Sequence, residues 1–458
     1  MIAAIPPSPP PRGSIALETQ LSNQNRPGAA VTAGGEPRLA AQQPRSRRTS
    51  ITAIGPEAAP QSMSLTASQQ DHQNSTIGPT APWLAAGLLL AGLGTVLLGP
   101  ILPALSRNWN LTDAQSGTLL LAKFIGAFLG GVSVPRRLRL GILSGTILGA
   151  LGFGAFALSI GLVTGTASLF VAGVGIGQII ASTNILAGRR YSHHTGSALS
   201  AINFFFSLGA VSTGLLAAAL FPRFPLREPI LTFAAIFLLV SLGGYFNRAA
   251  DHGPAPTEAP TTPLPRAMLV HFALLLFLYG GLETCLAAWL TTFAQRYSDA
   301  AVLDGQTPVV LLFFALTVGR ALSSAALRYF PEAFVQRLGL IFSAIFVAAL
   351  AIASHGATIS LLSILLGLAL APFFPATFGI LMKRAPTARE AGFILAVSGL
   401  GAALFSWLMG VISTHANSLR LAMTIPFGLA LVMFLLSFTR TAAQSSAPTE
   451  AQIPAIAP

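Results

Sequence analysis

Charged residues and cysteine are both scarce in this 458-residue chain. Only 9% of the residues are Asp, Glu, Lys or Arg, whereas 53% are hydrophobic. Soluble globular chains carry about a quarter charged residues, so this composition indicates a membrane protein. The single cysteine, Cys285, excludes an intramolecular disulfide framework and any metal site built from cysteines.

Catalytic groupings are missing as well. The sequence contains no recognisable Ser-His-Asp arrangement, phosphate-binding loop or attached soluble catalytic domain, so we expect no enzyme, no catalytic residue, no cofactor and no metal site. The formal charge of +12 does not indicate nucleic-acid binding, because the basic residues form short clusters between apolar runs. That distribution is typical of a membrane topology signal.

Both ends of the chain lack apolar runs of useful length. Residues 1–81 are rich in Pro, Ala, Gln, Ser and Thr, which predicts a disordered cytoplasmic tail, and residues 440–458 predict a second one. The N-terminal tail has no apolar core of a signal peptide. A start of translation at Met63 is an alternative that N-terminal sequencing of the native protein would test.

Long apolar segments fill the rest of the chain. Each is near the 20 residues that a helix needs to cross a bilayer, and helices are the form in which single long runs satisfy their backbone groups in lipid. The twelve predicted spans cover roughly residues 83–105, 115–134, 140–159, 166–187, 199–221, 229–246, 268–294, 308–328, 338–355, 357–382, 391–413 and 421–439.

A polar, Pro-rich linker at 247–267 divides the spans into two sets of six, at 82–246 and 268–439. The sets resemble each other: Arg189-Arg190 follow the fourth span and Lys383-Arg384 follow the tenth at the same distance. We therefore expect an all-α integral membrane fold in which two six-helix repeats surround a central cavity.

The basic residues also predict the orientation of the chain. With the N-terminus inside, the inner loops carry roughly twice as many Lys and Arg residues as the outer loops, which is the usual bias of cytoplasmic loops. We expect a multi-pass protein of the inner or plasma membrane, with both termini in the cytoplasm. We also expect a monomer in the lipid bilayer.

Four short motifs carry a resemblance to a known family. The sequence resembles the major facilitator superfamily from about Trp83 to Phe438, and more narrowly its fucose permease-like branch of sugar:proton symporters. The motifs are Leu98-Gly-Pro-Ile-Leu-Pro103, Leu278-Tyr-Gly-Gly-Leu-Glu283 with Trp289, Gly319-Arg320 and Ala371-Pro-Phe-Phe-Pro375. The resemblance implies a secondary transporter, and none of these motifs identifies a substrate.

The chain departs from the family pattern at two places. In the superfamily, the loop after the second span usually contains an acid that helps to close the inner gate. Here that loop, residues 131–139, has no acid but contains Arg136 and Arg137, which are gating candidates. The first and fourth spans also lack the acids that fucose permease-like symporters carry, so proton coupling at those positions is not implied.

Glu283 is the single acid well inside a predicted span. An ionised carboxylate there costs several kcal/mol or more unless it is paired, hydrated or protonated. One interpretation is a proton-coupling group that gains and loses a proton during transport. The other is a structural acid that is paired with a cation or bonded to the backbone.

Two cations also lie inside predicted spans. Lys123, in the second span, is a candidate to contact an acidic substrate or to pair with Glu283, with a smaller chance that it reaches towards water. Arg320, in the eighth span, is a candidate for gating or for charge pairing rather than for sugar contact.

Uncharged polar and aromatic residues complete the set of candidates. Their side chains suit sugar hydroxyls or stack on a sugar ring, yet they also serve as interhelical contacts worth roughly 1 kcal/mol. The substrate-binding candidates of this kind are Gln178, Asn184, Asn203, Tyr279 and Trp289.

The sequence therefore predicts a secondary transporter of a small polar solute, a sugar or a related compound, that works by alternating access with possible proton coupling. Two alternatives remain open. One is an exporter of drug-like or amphipathic compounds, and the other is a non-transporting membrane sensor. If Lys123 neutralised Glu283, the protein could be a uniporter.

Overall fold

The computed structural model describes residues 80–190, 195–246, 264–299, 305–327, 329–382 and 388–439. The two predicted tails, apart from residues 80 and 81, lie outside these ranges, as does most of the predicted linker. All regular secondary structure in the described ranges is helical, as the apolar runs predict.

The described residues form fifteen helices. In chain order these are α1 (Thr80–Val96), α2 (Leu98–Trp109), α3 (Asp113–Val132), α4 (Leu138–Ala157), α5 (Leu162–Arg190), α6 (Thr195–Leu220), α7 (Arg227–Phe246), α8 (Arg266–Tyr297), α9 (Thr307–Ala326), α10 (Glu332–Ile352), α11 (Gly356–Leu370), α12 (Phe373–Met382), α13 (Ala388–Ala416), α14 (Leu419–Ala422) and α15 (Thr424–Leu436).

These helices group into twelve membrane spans, which confirms the predicted number. Ten stretches are long and apolar enough to cross a bilayer, among them Gly356–Thr377 and Leu419–Leu436, each of which joins two helices. The bent pair α1 and α2 forms one more span, and α9 is a shorter apolar helix. We call α1 to α7 the N-terminal half and α8 to α15 the C-terminal half.

Prolines account for the breaks within the first and tenth spans. Pro100 has no N–H to donate to the carbonyl of Val96, and the helix axis turns by 41° at this break. Pro372 lies between α11 and α12 and likewise has no N–H to donate to a carbonyl of the preceding turn. Such breaks are tolerated in membrane helices where other groups of the protein satisfy the freed backbone atoms.

The two halves meet in a symmetric manner. Helix α3, the second span of the N-terminal half, packs against α13, the fifth span of the C-terminal half. Reciprocally, α6, the fifth span of the first half, packs against α9, the second span of the other half. This exchange of second and fifth spans is what two parallel repeats related by an axis along the membrane normal produce.

Candidate functional site

The candidate site begins at Glu283, in the middle of α8. The other four acids of the described helices lie in a first helical turn, where an acid is near the helix end. Glu283 differs because it lies in the middle of its helix, and its Oε1 is 3.5 Å from Nη2 of Arg320, on α9. We call these two residues the central pair.

The guanidinium of Arg320 links both halves of the molecule. Its Nη1 donates a hydrogen bond of 3.0 Å to Oγ of Ser207 on α6, in the N-terminal half. The same group lies beside Glu283 in the C-terminal half. The side chains of Arg320 and Glu283 are 27% and 22% exposed, so neither is fully buried.

Glycines let the backbone approach closely where α8 carries Glu283. A Cβ atom at Gly280 would lie 2.2 Å from the carbonyl oxygen of Ser398 on α13, which is closer than a carbon atom can come. Small residues at such contacts allow two membrane helices to pack backbone to backbone. The Gly280-Gly281 step therefore fixes the position of the following turn, on which Glu283 lies.

An aromatic wall borders the central pair on one side. Tyr279 lies one helical turn before Glu283, hence on the same face of α8, and its ring is beside both charged groups. The ring stacks on Phe373, with centroids 4.9 Å apart, and contacts Phe374 at 6.3 Å. Both phenylalanines follow the break in the tenth span, so this break brings their rings to the site.

Lys123 lies elsewhere, inside the N-terminal half. Its side chain is 2% exposed, and Nζ donates a hydrogen bond of 2.6 Å to the carbonyl of Thr95, beside the break in the first span. The ammonium also lies 4.6 Å from the centre of the Phe124 ring. The structure thus does not bring Lys123 to Glu283, because the ammonium of Lys123 bonds a backbone carbonyl of its own half.

The surroundings of Lys123 are apolar. A gap too narrow to hold a water molecule lies beside it and is lined by residues of the N-terminal half alone, among them Leu98, Phe153 and Leu169. Water or a polar substrate has little to bond to there apart from Lys123 itself. In this structure the predicted substrate contact of Lys123 has no access from the space between the halves.

The remaining polar candidates join helices within one half. Gln178 accepts a hydrogen bond of 2.8 Å from Ser144, and Asn203 donates one of 3.0 Å to Asn184. Trp289 is fully buried, and its Nε1 donates to the carbonyl of Ser406 at 3.0 Å. Of the predicted binding candidates, the structure brings Tyr279 to the central pair and places these four in interhelical contacts.

One end of the bundle has a polar latch that the sequence reading missed. Arg296, near the end of α8, forms a bidentate pair with Asp113 at the start of α3, at 2.6 and 2.5 Å. Ser413 on α13 donates to the same carboxylate at 2.5 Å. We call this side of the molecule the Asp113 end. Its three members are far apart in sequence, so each one resembles an ordinary charge or hydroxyl at a helix end.

A local signal did exist for the position of Asp113. Thr112 and Gln115 form a capping box, in which Thr112 N donates to Gln115 Oε1 at 2.9 Å and Gln115 N donates to Thr112 Oγ1 at 3.3 Å. Capping boxes fix the start of a helix, and an acid in the first turn is favoured there. The signal locates the acid but not its partner.

The opposite end, which carries Arg136 and Arg137, is less tightly joined between the halves in the described residues. Both arginine side chains are exposed before α4. A Cβ atom at Gly131 would meet Ala396 of the other half at an ordinary 3.7 Å, whereas one at Gly410 would lie 2.3 Å from the carbonyl of Asp113. The gating role of the two arginines stays a prediction.

No group of three or more His, Cys, Asp or Glu side chains that could hold a metal ion occurs among the described residues. At the Asp113 end, His355 lies 2.6 Å from Asp299, and the N–H of Gly356 donates to the same carboxylate at 2.9 Å. The hydrogen bond from His355, together with that from Gly356, holds the pKa of Asp299 below its usual value. This cluster caps α11 and belongs to the C-terminal half alone.

Known proteins resemble this chain in sequence and in fold. Residues 84–392 match the Major Facilitator Superfamily. The 4-hydroxybenzoate transporter PcaK of Pseudomonas putida is 30% identical over 164 residues, which is 34% of this chain and 36% of that protein. The alignment thus spans about a third of this relative's length.

Two solved structures share the fold. A mutant of the nucleoside transporter NupG has a TM-score of 0.64 at 12% identity, covering 79% of this chain and 99% of that one. The inward-open xylose transporter XylE from E. coli has a TM-score of 0.62 at 14% identity, covering 78% and 94%. At these identities the likeness concerns the fold alone.

Proposed function

We propose that this chain, which belongs to the Major Facilitator Superfamily, is a secondary transporter of a small polar organic solute that works by alternating access. The observation that carries the proposal is the contact of Arg320 with both Glu283 and Ser207, because it puts a charged group between two packed halves. A membership in a family of transporters, rather than of enzymes, agrees with the lack of a catalytic grouping in the sequence.

The position of the site suits alternating access. Repeated halves of a transporter rock about a site at mid-depth, and the substrate contacts helices of both halves there. Helices α6, α8 and α9 bring Ser207, Glu283 and Arg320 together from the two halves. As the halves rock, a solute bound at the central pair would therefore be accessible first from one side of the membrane and then from the other.

The chemistry of the site favours a solute with polar groups and a flat or apolar face. The charged pair offers donors and an acceptor, and Phe374, a partly exposed ring beside the buried Tyr279, offers an apolar surface. Sugars fit this description, as the fucose permease-like resemblance predicts. Small organic acids fit it too, and the name of the P. putida relative, a 4-hydroxybenzoate transporter, supports them. The narrower branch stays a prediction.

We further propose the orientation in the membrane. The excess of Lys and Arg in the loops on the Arg136 side supports a cytoplasmic position of that side and of both termini. The Asp113 end then faces outwards. In this arrangement the latch of Asp113, Arg296 and Ser413 closes the outer side, and a monomer in the inner or plasma membrane carries the whole pathway.

Uptake into proteoliposomes tests the proposal. The purified protein is reconstituted and supplied with labelled D-xylose, uridine, 4-hydroxybenzoate and D-xylonate, and separately with an amphipathic dye, with and without an inward pH gradient. We expect saturable uptake of at least one compound above protein-free vesicles. Tight binding without flux would instead support a sensor, and flux limited to amphipathic dyes would support the exporter; either result would refute this function.

A further inference from the structure

We propose that Arg320 binds the carboxylate of a small organic anion in place of Glu283, and that this exchange requires Glu283 to take up one proton. The inference rests on the proposed function and names the substrate class of the same site. The proton joins a carboxylate oxygen of Glu283 from the solution that the site faces, and no other covalent bond is made or broken.

The pair of Asp113 with Arg296 and the pair of Glu283 with Arg320 differ in geometry. Asp113 and Arg296 form a bidentate pair at 2.5 and 2.6 Å, in which the planar guanidinium faces the planar carboxylate. Glu283 approaches Arg320 at 3.5 Å through Oε1. Guanidinium groups bind carboxylates best in the bidentate form. A mobile carboxylate that reaches the bidentate form therefore competes well with Glu283, whose Oε1 lies 3.5 Å from the guanidinium.

Exposure agrees with such a competition. The side chains of Arg320 and Glu283 are 27% and 22% exposed, so neither charge is sealed inside the protein. Lys123, a cation near the middle of its described span, is 2% exposed and bonded to Thr95. Of these two cations, Arg320 is the accessible one.

Charge balance explains the requirement for a proton. With Glu283 ionised, the central pair is neutral, and a bound carboxylate would add a second negative charge beside the first. Two carboxylates that share one site do not both stay ionised easily, so one of them binds a proton. The bound carboxylate lies on Arg320, which favours its charged form, and the proton therefore goes to Glu283.

Few other ionisable groups are available to take this role. Beside Glu283, the described residues place Tyr279 on its own helix and Arg320 on α9. Helix α13, which packs against α8, presents Ser398 and Phe405 at this level, and α6 presents Ser207. None of these three gains a charge in the physiological range. The exchange thus depends on Glu283.

The mechanism has a measurable consequence for the driving force. One monovalent anion and one proton cross together, so transport moves no net charge. A pH gradient then drives accumulation by about tenfold per pH unit at equilibrium, while a membrane potential has no effect. A neutral solute of the same shape leaves Glu283 paired with Arg320, so a pH gradient does not drive its accumulation.

Matched pairs of solutes test the substrate class. Proteoliposomes are supplied with 4-hydroxybenzoate and its neutral analogue 4-hydroxybenzamide, and with D-xylonate and neutral D-xylose, under an inward pH gradient with the potential clamped by valinomycin. We expect the carboxylate of one pair to accumulate and its neutral partner not to. Equal or greater uptake of the neutral member would overturn the inference and leave the transporter intact. No flux of any of the four would refute the proposed function as well.

The variant Glu283→Gln tests the proton. The amide keeps the size of the side chain but cannot bind a proton, so exchange of labelled carboxylate should continue while accumulation by the pH gradient is lost. Uptake should also become sensitive to membrane potential. Glu228→Gln, the same change at an exposed acid in the first turn of α7, is the control. Accumulation by the pH gradient that survives in Glu283→Gln would overturn the inference.

A second variant covers the possibility that Glu283→Gln does not fold. Arg320→Lys keeps the positive charge but loses the planar fork of donors. It should raise the KM for the carboxylate about tenfold or more and keep the dependence on the pH gradient. An unchanged KM would show that the carboxylate does not bind at Arg320, which would overturn the inference.

Discussion

Lys123 and Arg320 are both cations inside apolar spans, yet the structure places them differently. Lys123 is 2% exposed and donates to a backbone carbonyl within its own half. Arg320 is 27% exposed and contacts Glu283 in one half and Ser207 in the other. A charge whose partners lie in one rigid half keeps them as the halves rock, whereas Arg320 would lose its contact with Ser207 in the other half. Arg320 is therefore suited to take part in transport.

The difference follows from the local backbone. Beside the break in the first span, the carbonyl of Thr95 accepts a hydrogen bond from the ammonium of Lys123. The face of the Phe124 ring adds a cation–π contact to the same ammonium. Arg320 instead lies where α6, α8 and α9 meet, and its wide guanidinium can reach partners on two of them at once.

Replacing Arg320 should have the largest effect on transport. In Arg320→Gln the site loses its cation, and hydrogen bonds to charged groups contribute about 1.5–3 kcal/mol, so the KM for a carboxylate should rise by about tenfold or more. Uptake kinetics in proteoliposomes measure this change.

The matched control is Arg337→Gln in the C-terminal half. Arg337 bonds Ser437 and lies over the Phe438 ring, so it has local partners as Lys123 does. Uptake should keep its KM in this variant. A similar rise in KM for both variants would show that the position of Arg320 between the halves does not determine the affinity for the carboxylate.

Breaking the latch at the Asp113 end should have an intermediate effect. Asp113→Asn keeps the shape but removes one charge of the pair with Arg296, whose side chain is 41% exposed and therefore well screened. We expect a loss of about 1 kcal/mol, which shifts the population open at this end about fivefold.

Thiol labelling measures that shift. The single cysteine is changed first, as Cys285→Ser, and Ala287→Cys then places a thiol on α8 where its backbone meets Gly99 of the other half. In detergent, Asp113→Asn should raise the labelling rate. Asp299→Asn, at an acid of the same end that bonds only within the C-terminal half, should not. Equal rates in both variants would argue against a latch.

Replacing Lys123 should have the smallest effect on transport. Lys123→Met removes the charge and the bond to Thr95 but leaves the central pair unchanged, and separate sites rarely influence each other by more than a few tenths of a kcal/mol. The KM and the dependence on the pH gradient should stay within about twofold of wild type in proteoliposomes. A loss of preference for the carboxylate would instead assign Lys123 to the site.

Much of this architecture could be predicted from the sequence. Apolar runs of span length indicated the number of spans, and Glu283 was distinctive because an acid in the middle of a span is costly. The pairing of Arg320 with an acid was one of the predicted alternatives. Each of these statements needs only the local sequence and the bilayer thickness.

The remaining features depend on contacts between distant segments. Helical periodicity does not tell which neighbour Lys123 faces, so the sequence left open a substrate contact, a pair with Glu283 and, less favoured, a reach towards water. The carbonyl of Thr95, its partner in the structure, was not among these alternatives. Likewise, Gln178 could bind a sugar or a neighbouring helix, and its partner Ser144 lies on another span. The Asp113 latch joins residues 183 and 300 positions apart, which no local pattern reveals.

Proton uptake on binding tests the central claim most directly. Purified protein is titrated calorimetrically with 4-hydroxybenzoate or D-xylonate, whichever is taken up, in two buffers that differ in ionisation enthalpy. Our account predicts that about one proton is taken up per carboxylate bound in the wild type, and about none in Glu283→Gln. Binding to the wild type without proton uptake, or equal uptake in the two proteins, would contradict the exchange of Glu283 for substrate at Arg320.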